Sequence, residues 1–188
     1  MKVTVGVSKR HVHLTKETFN KLFGDIELEV RNKIGQPGQF ASTLAVDLKW
    51  KDKVLENVRI VGPLRSYDQA EISISDADKL EMSPPRLRSG EFEDSWSIIM
   101  VGPKGEVKLE KALMMVWPHV HLTPALAEEL DVKDDERVNV YHNGACVAEA
   151  LVKVEENAAP EFHIDNDEEH IYNLHNNDEV EIVKSKVD

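Results

Sequence analysis

A five-residue sequence, HVHLT, occurs twice in this chain and limits the fold more than any other feature. The two copies begin at His11 and His119. Each copy follows a β-rich segment and ends in a threonine suited to cap a helix, Thr15 or Thr123. Apolar residues then recur at helical spacing. The repeated order of strand, His-x-His and capped short helix predicts an internal duplication.

The segments after each predicted helix are mostly β-like, and turn sequences such as GQPG, YHNG and LHNN separate them. Many short strands with few helices favour barrels over a doubly wound sheet. The sequence therefore predicts a mainly β fold with short helices (α+β), in two related β-barrel domains. Residues 1–95 are expected to hold the first His-x-His motif and residues 96–188 the second.

Composition excludes some classes of partner. The net charge is −12, from 35 acidic and 23 basic residues, which argues against nonspecific binding to nucleic acid or to an anionic membrane. No apolar run approaches the roughly 20 residues that a bilayer span needs. Cys146 is the single cysteine, so no internal disulfide can form, which fits the cytoplasm. It is expected to lie in a strand as a small buried residue.

The histidine pairs favour a metal site. In a strand, residues i and i+2 point to the same side, so His11 and His13 project together, as do His119 and His121. Two imidazoles on one face form half of a site, and zinc suits nitrogen and carboxylate ligands. One such pair alone is compatible with surface decoration, but its repetition favours metal binding.

Further ligands are expected on other strands. Glu71 in QAEISIS and His163 in FHIDND are the best placed. With the two histidine pairs they give six ligands, enough for two three-ligand sites with open coordination positions, as in catalytic zinc sites. The remaining histidines are expected to be solvated: His142, His170 and His175.

Arg65 is the candidate anion-binding residue. It lies six residues before Glu71, where its planar guanidinium suits a phosphate or a carboxylate. The alternative is a surface salt bridge with Asp68 or Asp76. Neither a glycine-rich phosphate loop nor a GxSxG nucleophile motif is present, so any phosphate must be held by side chains and metal.

Taken in order, the motifs VGVSKRHVHL, GPLRSYDQAEIS, PPRLRSGEF, ALMMVW with HVHLT, and FHIDNDE resemble the phosphate propanoyltransferase family. Its members are phosphotransacylases associated with propanediol-utilisation microcompartments. The resemblance implies two β-barrel domains and a dinuclear zinc site. It also implies reversible transfer of a short acyl group, propanoyl or acetyl, between coenzyme A and inorganic phosphate.

Carried over residue by residue, the resemblance implies metal ligands at His11, His13, Glu71, His119, His121 and His163, and a phosphate-contacting arginine at Arg65. The expected partners are small molecules (acyl-CoA, phosphate and acyl phosphate), and a homo-oligomer is compatible with the sequence. Only Met1 and Lys2 precede the first predicted strand, so a cytoplasmic enzyme is expected rather than one targeted to a microcompartment. The family usually has arginine where this chain has Pro118.

No protein nucleophile is needed for this reaction, so direct transfer without an acyl-enzyme is predicted. Arg86 and Arg88 are expected either to meet the phosphates of coenzyme A or to be solvated loop residues. Two other functions remain open: a cupin-like metal-dependent barrel and a non-catalytic metal-binding paralogue. The cupin pattern would use Glu17, but this residue falls in the predicted helix, and Ala125 replaces it in the second copy.

Overall fold

The computed structural model describes residues 1–185, which form fourteen strands and four short helices. The strands are β1 (Lys2–Ser8), β2 (His11–His13), β3 (Val30–Lys33), β4 (Phe40–Trp50), β5 (Lys53–Gly62), β6 (Gln69–Glu71), β7 (Arg86–Leu87), β8 (Trp96–Gly102), β9 (Gly105–Val116), β10 (His119–Leu122), β11 (Arg137–His142), β12 (Ala145–Val154), β13 (Glu161–Asp165) and β14 (Glu179–Lys184). The helices are α1 (Lys16–Phe23), α2 (Ile74–Lys79), α3 (Pro124–Glu129) and α4 (Asn166–Tyr172). Within the described residues, none of these helices is long and apolar enough to cross a membrane.

The first barrel contains the first His-x-His motif and is made of residues Lys9–Ile34 and Gly38–Val116. Six strands close it in the order β4-β5-β2-β6-β9-β8, with β8 returning to β4. The strands β3 and β7 are added to β4 and β9. Its core is apolar and includes the fully buried side chains of Leu48, Ile60 and Leu113.

The second barrel contains the second motif and is made of Met1–Ser8, Gly35–Pro37 and the described residues from Trp117 onward. Its six strands close in the order β1-β13-β10-β12-β11-β14. A separate core fills it, with Val5, Phe162 and Ile182 fully buried.

The two barrels share one topology. The strand β2 is parallel to β5 and antiparallel to β6, while β10 is parallel to β12 and antiparallel to β13. The predicted fold class, two related β-barrel domains with short helices, is therefore confirmed.

The compact units differ from the contiguous halves 1–95 and 96–188. The strand β9 is parallel to β6 and belongs to the first barrel, whereas β1 is parallel to β13 and belongs to the second. The strand that precedes each His-x-His motif thus completes the barrel of the other motif. Hydrogen bonds between strands that are distant in sequence decide to which barrel β1 and β9 belong. No single cut point along the chain can therefore separate the two barrels.

The predicted helix starts after each motif are confirmed. The Thr15 hydroxyl accepts a hydrogen bond from the Thr18 N–H, and the Thr123 hydroxyl accepts one from Leu126. Pro124 is the first residue of α3, where its missing N–H costs no helical hydrogen bond. Each cap stops the chain from continuing as a strand, so the His-x-His strands stay short.

Candidate metal centres

The pleat of β2 and β10 separates the histidines from the residue between them. Val12 and Val120 are fully buried in their cores. The flanking histidines therefore point to the other side of each strand. The two rings of each pair are close, with centroids 5.0 Å apart for His11 and His13 and 4.8 Å apart for His119 and His121.

The mixed cluster consists of His11, His13 and Glu71 in the first barrel. His11 lies directly opposite Glu71 in the antiparallel pairing of β2 with β6. The His11 Nε2 is 3.6 Å from the Glu71 Oε2. One ligand atom from each of the three residues lies within 4.8 Å of those of the other two, so the set can hold one metal ion.

The Nδ1 atoms of His11 and His13, which are the outer nitrogens of this cluster, hydrogen-bond to backbone carbonyl oxygens. The His11 Nδ1 is 2.9 Å from the Lys9 carbonyl oxygen, and the His13 Nδ1 is 3.0 Å from that of Val61. A carbonyl oxygen can only accept, so each Nδ1 carries the hydrogen and donates. Each Nε2 then keeps its lone pair for a metal.

Glu71 is held by two neighbouring side chains. Its Oε1 accepts hydrogen bonds from the Ser89 hydroxyl, at 3.1 Å, and from the Gln69 side-chain amide. Its Oε2 faces His11. These bonds fix the rotation of the carboxylate and aim one oxygen at the histidines.

The histidine cluster consists of His119, His121 and His163 in the second barrel. His119 lies directly opposite His163 in the pairing of β10 with β13. The His121 Nε2 is 3.2 Å from both the His119 Nε2 and the His163 Nδ1. One ring nitrogen from each of the three histidines lies within 4.8 Å of those of the other two, so this set can also hold one metal ion.

In each histidine of this cluster, the ring nitrogen that is not one of the three converging atoms is the outer nitrogen, and it faces an oxygen acceptor. The His119 Nδ1 donates to the Trp117 carbonyl at 2.9 Å, and the His121 Nδ1 donates to the Glu155 carboxylate at 2.8 Å. The His163 Nε2 donates to the Glu161 carboxylate. With these tautomers, three lone pairs converge and repel one another unless a cation lies between them. The donor set therefore fits zinc.

Burial favours the neutral form of three of the histidines, His13, His119 and His121, and a neutral imidazole is what metal ligation requires. Burial lowers the pKa of His13 to about 3, with a further electrostatic contribution from the neighbouring His11 ring. Burial also lowers the pKa of His121 and holds that of His119 well below its ordinary value.

The carboxylates behind the histidine cluster stay ionised. The hydrogen bond from His121 lowers the pKa of Glu155 to about 2. Burial alone would raise the pKa of Glu161, but its hydrogen bond and electrostatic interaction with His163 and the hydrogen bond from Gln36 together lower it. Both carboxylates can therefore act as acceptors for the imidazole N–H groups.

Arg65 lies beside the mixed cluster. Its backbone N–H donates to the Leu14 carbonyl at 2.8 Å, and its guanidinium charge helps to lower the pKa of His13. The Arg65 Nε is buried and has no hydrogen-bond partner among the described residues. Asp68 instead accepts hydrogen bonds from α1, and Asp76 pairs with Arg10 and Lys79. The surface salt bridge considered for Arg65 does not form.

Four residues that contact the predicted ligands are not predicted from the sequence: Gln69, Ser89, Glu155 and Glu161. Gln69 and Glu161 each lie two residues before a predicted ligand on the same strand, so the period of a strand could have identified them. Ser89 and Glu155 lie 18 and 34 residues from the ligands they contact, Glu71 and His121. Nothing in the local sequence connects those pairs.

The other candidates lie outside the two clusters. Cys146 is exposed, so its expected burial is wrong. By the two-residue alternation of a strand, Cys146 should face the same side of β12 as the buried Ala148 and Ala150. The pairing of β12 with β11 shifts register between Ala148 and Cys146, however, and Cys146 lies past this shift, near the end of the hairpin. His170 and His175 are exposed as expected, while His142 is half-buried at the end of β11. Arg86 lies in β7, and Arg88 follows it.

The cupin-like alternative lacks its carboxylate. Glu17 lies in α1, and its exposed side chain pairs with Lys21 at 2.8 Å. It is not part of the mixed cluster, which instead uses Glu71 on β6.

Comparison with known proteins gives one consistent result. The sequence model of the family described as phosphate propanoyltransferase matches residues 4–175. A phosphate propanoyltransferase of Thermotoga maritima is 38% identical over 187 residues, covering 97% of this chain and 89% of the relative. That of Rhodopseudomonas palustris is 36% identical over 186 residues, covering 97% and 82%. The chain therefore belongs to the phosphate propanoyltransferase family.

Proposed function

We propose that this chain is a zinc-dependent phosphate acyltransferase of the cytoplasm. It transfers a propanoyl or acetyl group reversibly between coenzyme A and inorganic phosphate. Family membership makes the chain an acyltransferase. The zinc ions, the short acyl group and the role of Arg65 are our additions to that assignment.

The observation that carries the proposal is the convergence of metal-binding atoms in both barrels. His11, His13 and Glu71 would hold one zinc ion, and His119, His121 and His163 would hold a second. In the five histidines an outer nitrogen faces an oxygen acceptor, which leaves the inner nitrogen as the donor to metal. Three protein ligands leave coordination positions open for substrate, as in catalytic zinc sites.

The family resemblance further implies that the two ions form a dinuclear centre, and we include this in the proposal on that ground alone. Replacing zinc with manganese tests it by electron paramagnetic resonance. A spin-coupled signal at two manganese ions per chain is expected, whereas two independent signals would contradict a dinuclear centre.

In the proposed reaction, a phosphate oxygen attacks the carbonyl carbon of the thioester. A carbon–oxygen bond forms, the carbon–sulfur bond breaks, and the departing coenzyme A thiolate takes up the proton that the attacking hydrogen phosphate loses. Bound zinc supplies a Lewis acid that polarises a carbonyl and favours a deprotonated thiol. The Arg65 Nε is buried and has no hydrogen-bond partner within residues 1–185, and the guanidinium would supply hydrogen-bond donors and positive charge for the phosphate.

We propose direct transfer, without a covalent acyl-enzyme. Cys146 is the one thiol of the chain, and it lies on β12, outside both clusters. Positioning the two substrates together supplies part of the rate acceleration, since it replaces a bimolecular encounter with a bound pair.

The test is phosphate-dependent thiol release. The Cys146→Ser variant removes the protein's own thiol from the assay. We expect release of coenzyme A from propanoyl-CoA only when phosphate is present, loss of release after metal chelation, and recovery when zinc is restored. Protein that binds zinc but releases no thiol would instead indicate the non-catalytic paralogue.

A further inference from the structure

We infer that the histidine cluster is the tighter of the two metal sites and loads first, because Glu161 and Glu155 act as positioning residues behind its imidazoles. The inference rests on the proposed function, which assigns one zinc ion to each cluster. Three differences between the clusters support it.

The first difference is preorganisation. Tetrahedral zinc with Zn–N bonds of about 2.0–2.1 Å places neighbouring nitrogens about 3.3 Å apart. In the histidine cluster two nitrogen pairs are already 3.2 Å apart. In the mixed cluster the His11 Nε2 and the Glu71 Oε2 are 3.6 Å apart. These two nitrogen pairs of the histidine cluster therefore lie closer to the separation that tetrahedral zinc requires than the nitrogen–oxygen pair of the mixed cluster does.

The second difference is the nature of the acceptors. His121 and His163 donate to carboxylates, those of Glu155 and Glu161. Both histidines of the mixed cluster donate to neutral backbone carbonyls. A carboxylate makes the imidazole a stronger donor to metal, and removing such a partner typically weakens metal affinity about 10- to 100-fold.

The third difference is how firmly Glu161 is held. Buried Gln36 donates to the Glu161 Oε2 at 3.1 Å and exchanges two hydrogen bonds with the backbone of Ala159. A Cβ atom added to Gly6 or Gly35 would lie 2.6 or 2.7 Å from Glu161 carboxylate atoms. The carboxylate therefore fills a slot between two glycines, with the Gln36 amide fixing its rotation.

The equivalent slot in the first barrel has a different occupant. Glu161 lies opposite His121 on β10, and Gln69 lies opposite His13 on β2. Gln69 is neutral and hydrogen-bonds to Glu71. At this position the second barrel has the charged Glu161, which accepts a hydrogen bond from the ligand His163. The first barrel has the neutral Gln69, which donates to the ligand Glu71.

Zinc titration of the metal-free full chain, in competition with a chromophoric chelator, tests the inference. We expect two binding steps whose affinities differ at least about 10-fold. The tight step should be lost in His163→Ala and kept in Glu71→Ala. Two steps of equal affinity, or loss of the tight step in Glu71→Ala, would overturn the inference and leave the proposed function standing. Absence of zinc binding at both clusters would overturn the proposed function as well.

The positioning role is tested by Glu161→Gln, with Glu156→Gln as a matched control on an exposed neighbour of Glu155. Glu161→Gln should weaken the tight step about 10- to 100-fold and leave the weaker step unchanged. The control should alter neither step. Gly35→Ala is a second variant that displaces the carboxylate without changing its chemistry, and it should weaken the same step.

Circular dichroism of each metal-free variant separates positioning from folding. A merely structural role would change the thermal unfolding of the metal-free protein and leave the ratio of the two affinities unaltered. If the folded Glu161→Gln variant kept the wild-type ratio of the two zinc affinities, the positioning role would be refuted.

Discussion

Glu71 and His163 occupy the same position in their respective barrels: each lies opposite the first histidine of its motif, Glu71 across from His11 and His163 across from His119. The shared topology places the third metal-binding atom at one register position, and the sequence decides whether that atom is oxygen or nitrogen. Two sites of one architecture thus differ in charge. If each cluster holds one ion, as proposed, this difference in charge would give the two ions unlike affinities.

Removing one ligand from a cluster should remove one ion. We expect His13→Ala to lower the zinc content from two ions per chain to one and to reduce phosphate-dependent thiol release by at least about 100-fold, because catalytic metal supplies several kcal/mol of transition-state stabilisation. Elemental analysis and the thiol assay measure the two effects. His142→Ala is the control, since His142 lies outside both clusters. An unchanged zinc content in His13→Ala would contradict the ligand assignment.

Arg65 should act on phosphate rather than on the thioester. A charge-assisted hydrogen bond contributes about 1.5–3 kcal/mol, so Arg65→Ala should raise the KM for phosphate about 10- to 100-fold. The KM for propanoyl-CoA should change much less. Steady-state kinetics with each substrate varied in turn gives both values. Arg31→Ala removes an exposed arginine from β3 and is the matched control. Equal effects on both KM values would argue against a phosphate-specific role.

The metal-free protein should lose stability as the pH falls below about 6.5. His13 has a pKa of about 3 in the fold and an ordinary value of 6.5 when unfolded. Between these values the unfolded chain binds a proton that the folded chain does not, so the free energy of unfolding rises with pH. His119 and His121 act in the same direction. Glu155, with its pKa lowered to about 2, adds a contribution of the same sign below 4.5.

Urea unfolding from pH 7 to pH 4 measures this dependence. For each histidine that stays neutral in the fold and is protonated in the unfolded chain, the free energy of unfolding changes by about 1.4 kcal/mol per pH unit. The His13→Ala variant should show a smaller slope than the wild type. A stability independent of pH over this range would contradict the buried neutral histidines.

The two helix caps should differ in their effect on stability. Thr123→Ala removes one capping hydrogen bond and should cost about 1 kcal/mol. Thr15→Ala should cost more, because the Thr15 hydroxyl also donates to Asp68, a carboxylate that holds the start of α1. Urea unfolding compares the two variants at fixed zinc content. Equal losses would show that the Asp68 contact adds nothing to the cap.

Cys146 should react freely in the folded protein. The exposed thiol is expected to titrate as one group per chain with a thiol reagent in the absence of denaturant. Because we assign it no catalytic role, Cys146→Ser should keep wild-type thiol release from propanoyl-CoA. Mass spectrometry of protein incubated with propanoyl-CoA checks the same point. An acyl adduct at Cys146 during turnover would contradict direct transfer.

Local sequence predicted much of this fold and of the candidate site. The His-x-His spacing, the capping threonines and the β-like stretch around Glu71 each depend on neighbouring residues, so these features could be read directly. Glu155 could not be found this way because its contact with His121 depends on the pairing of β10 with β12. The exposure of Cys146 depends on a local irregularity in strand pairing, which alternation along a strand does not reveal.

Because β1 completes the second barrel and β9 completes the first, neither half of the sequence contains all six strands of a barrel. A fragment ending near residue 95 would lack β8 and β9 of the first barrel, and the complementary fragment would lack β1 of the second. Each half of the sequence therefore supplies a strand that closes the other barrel, so neither half is expected to fold when it is produced alone.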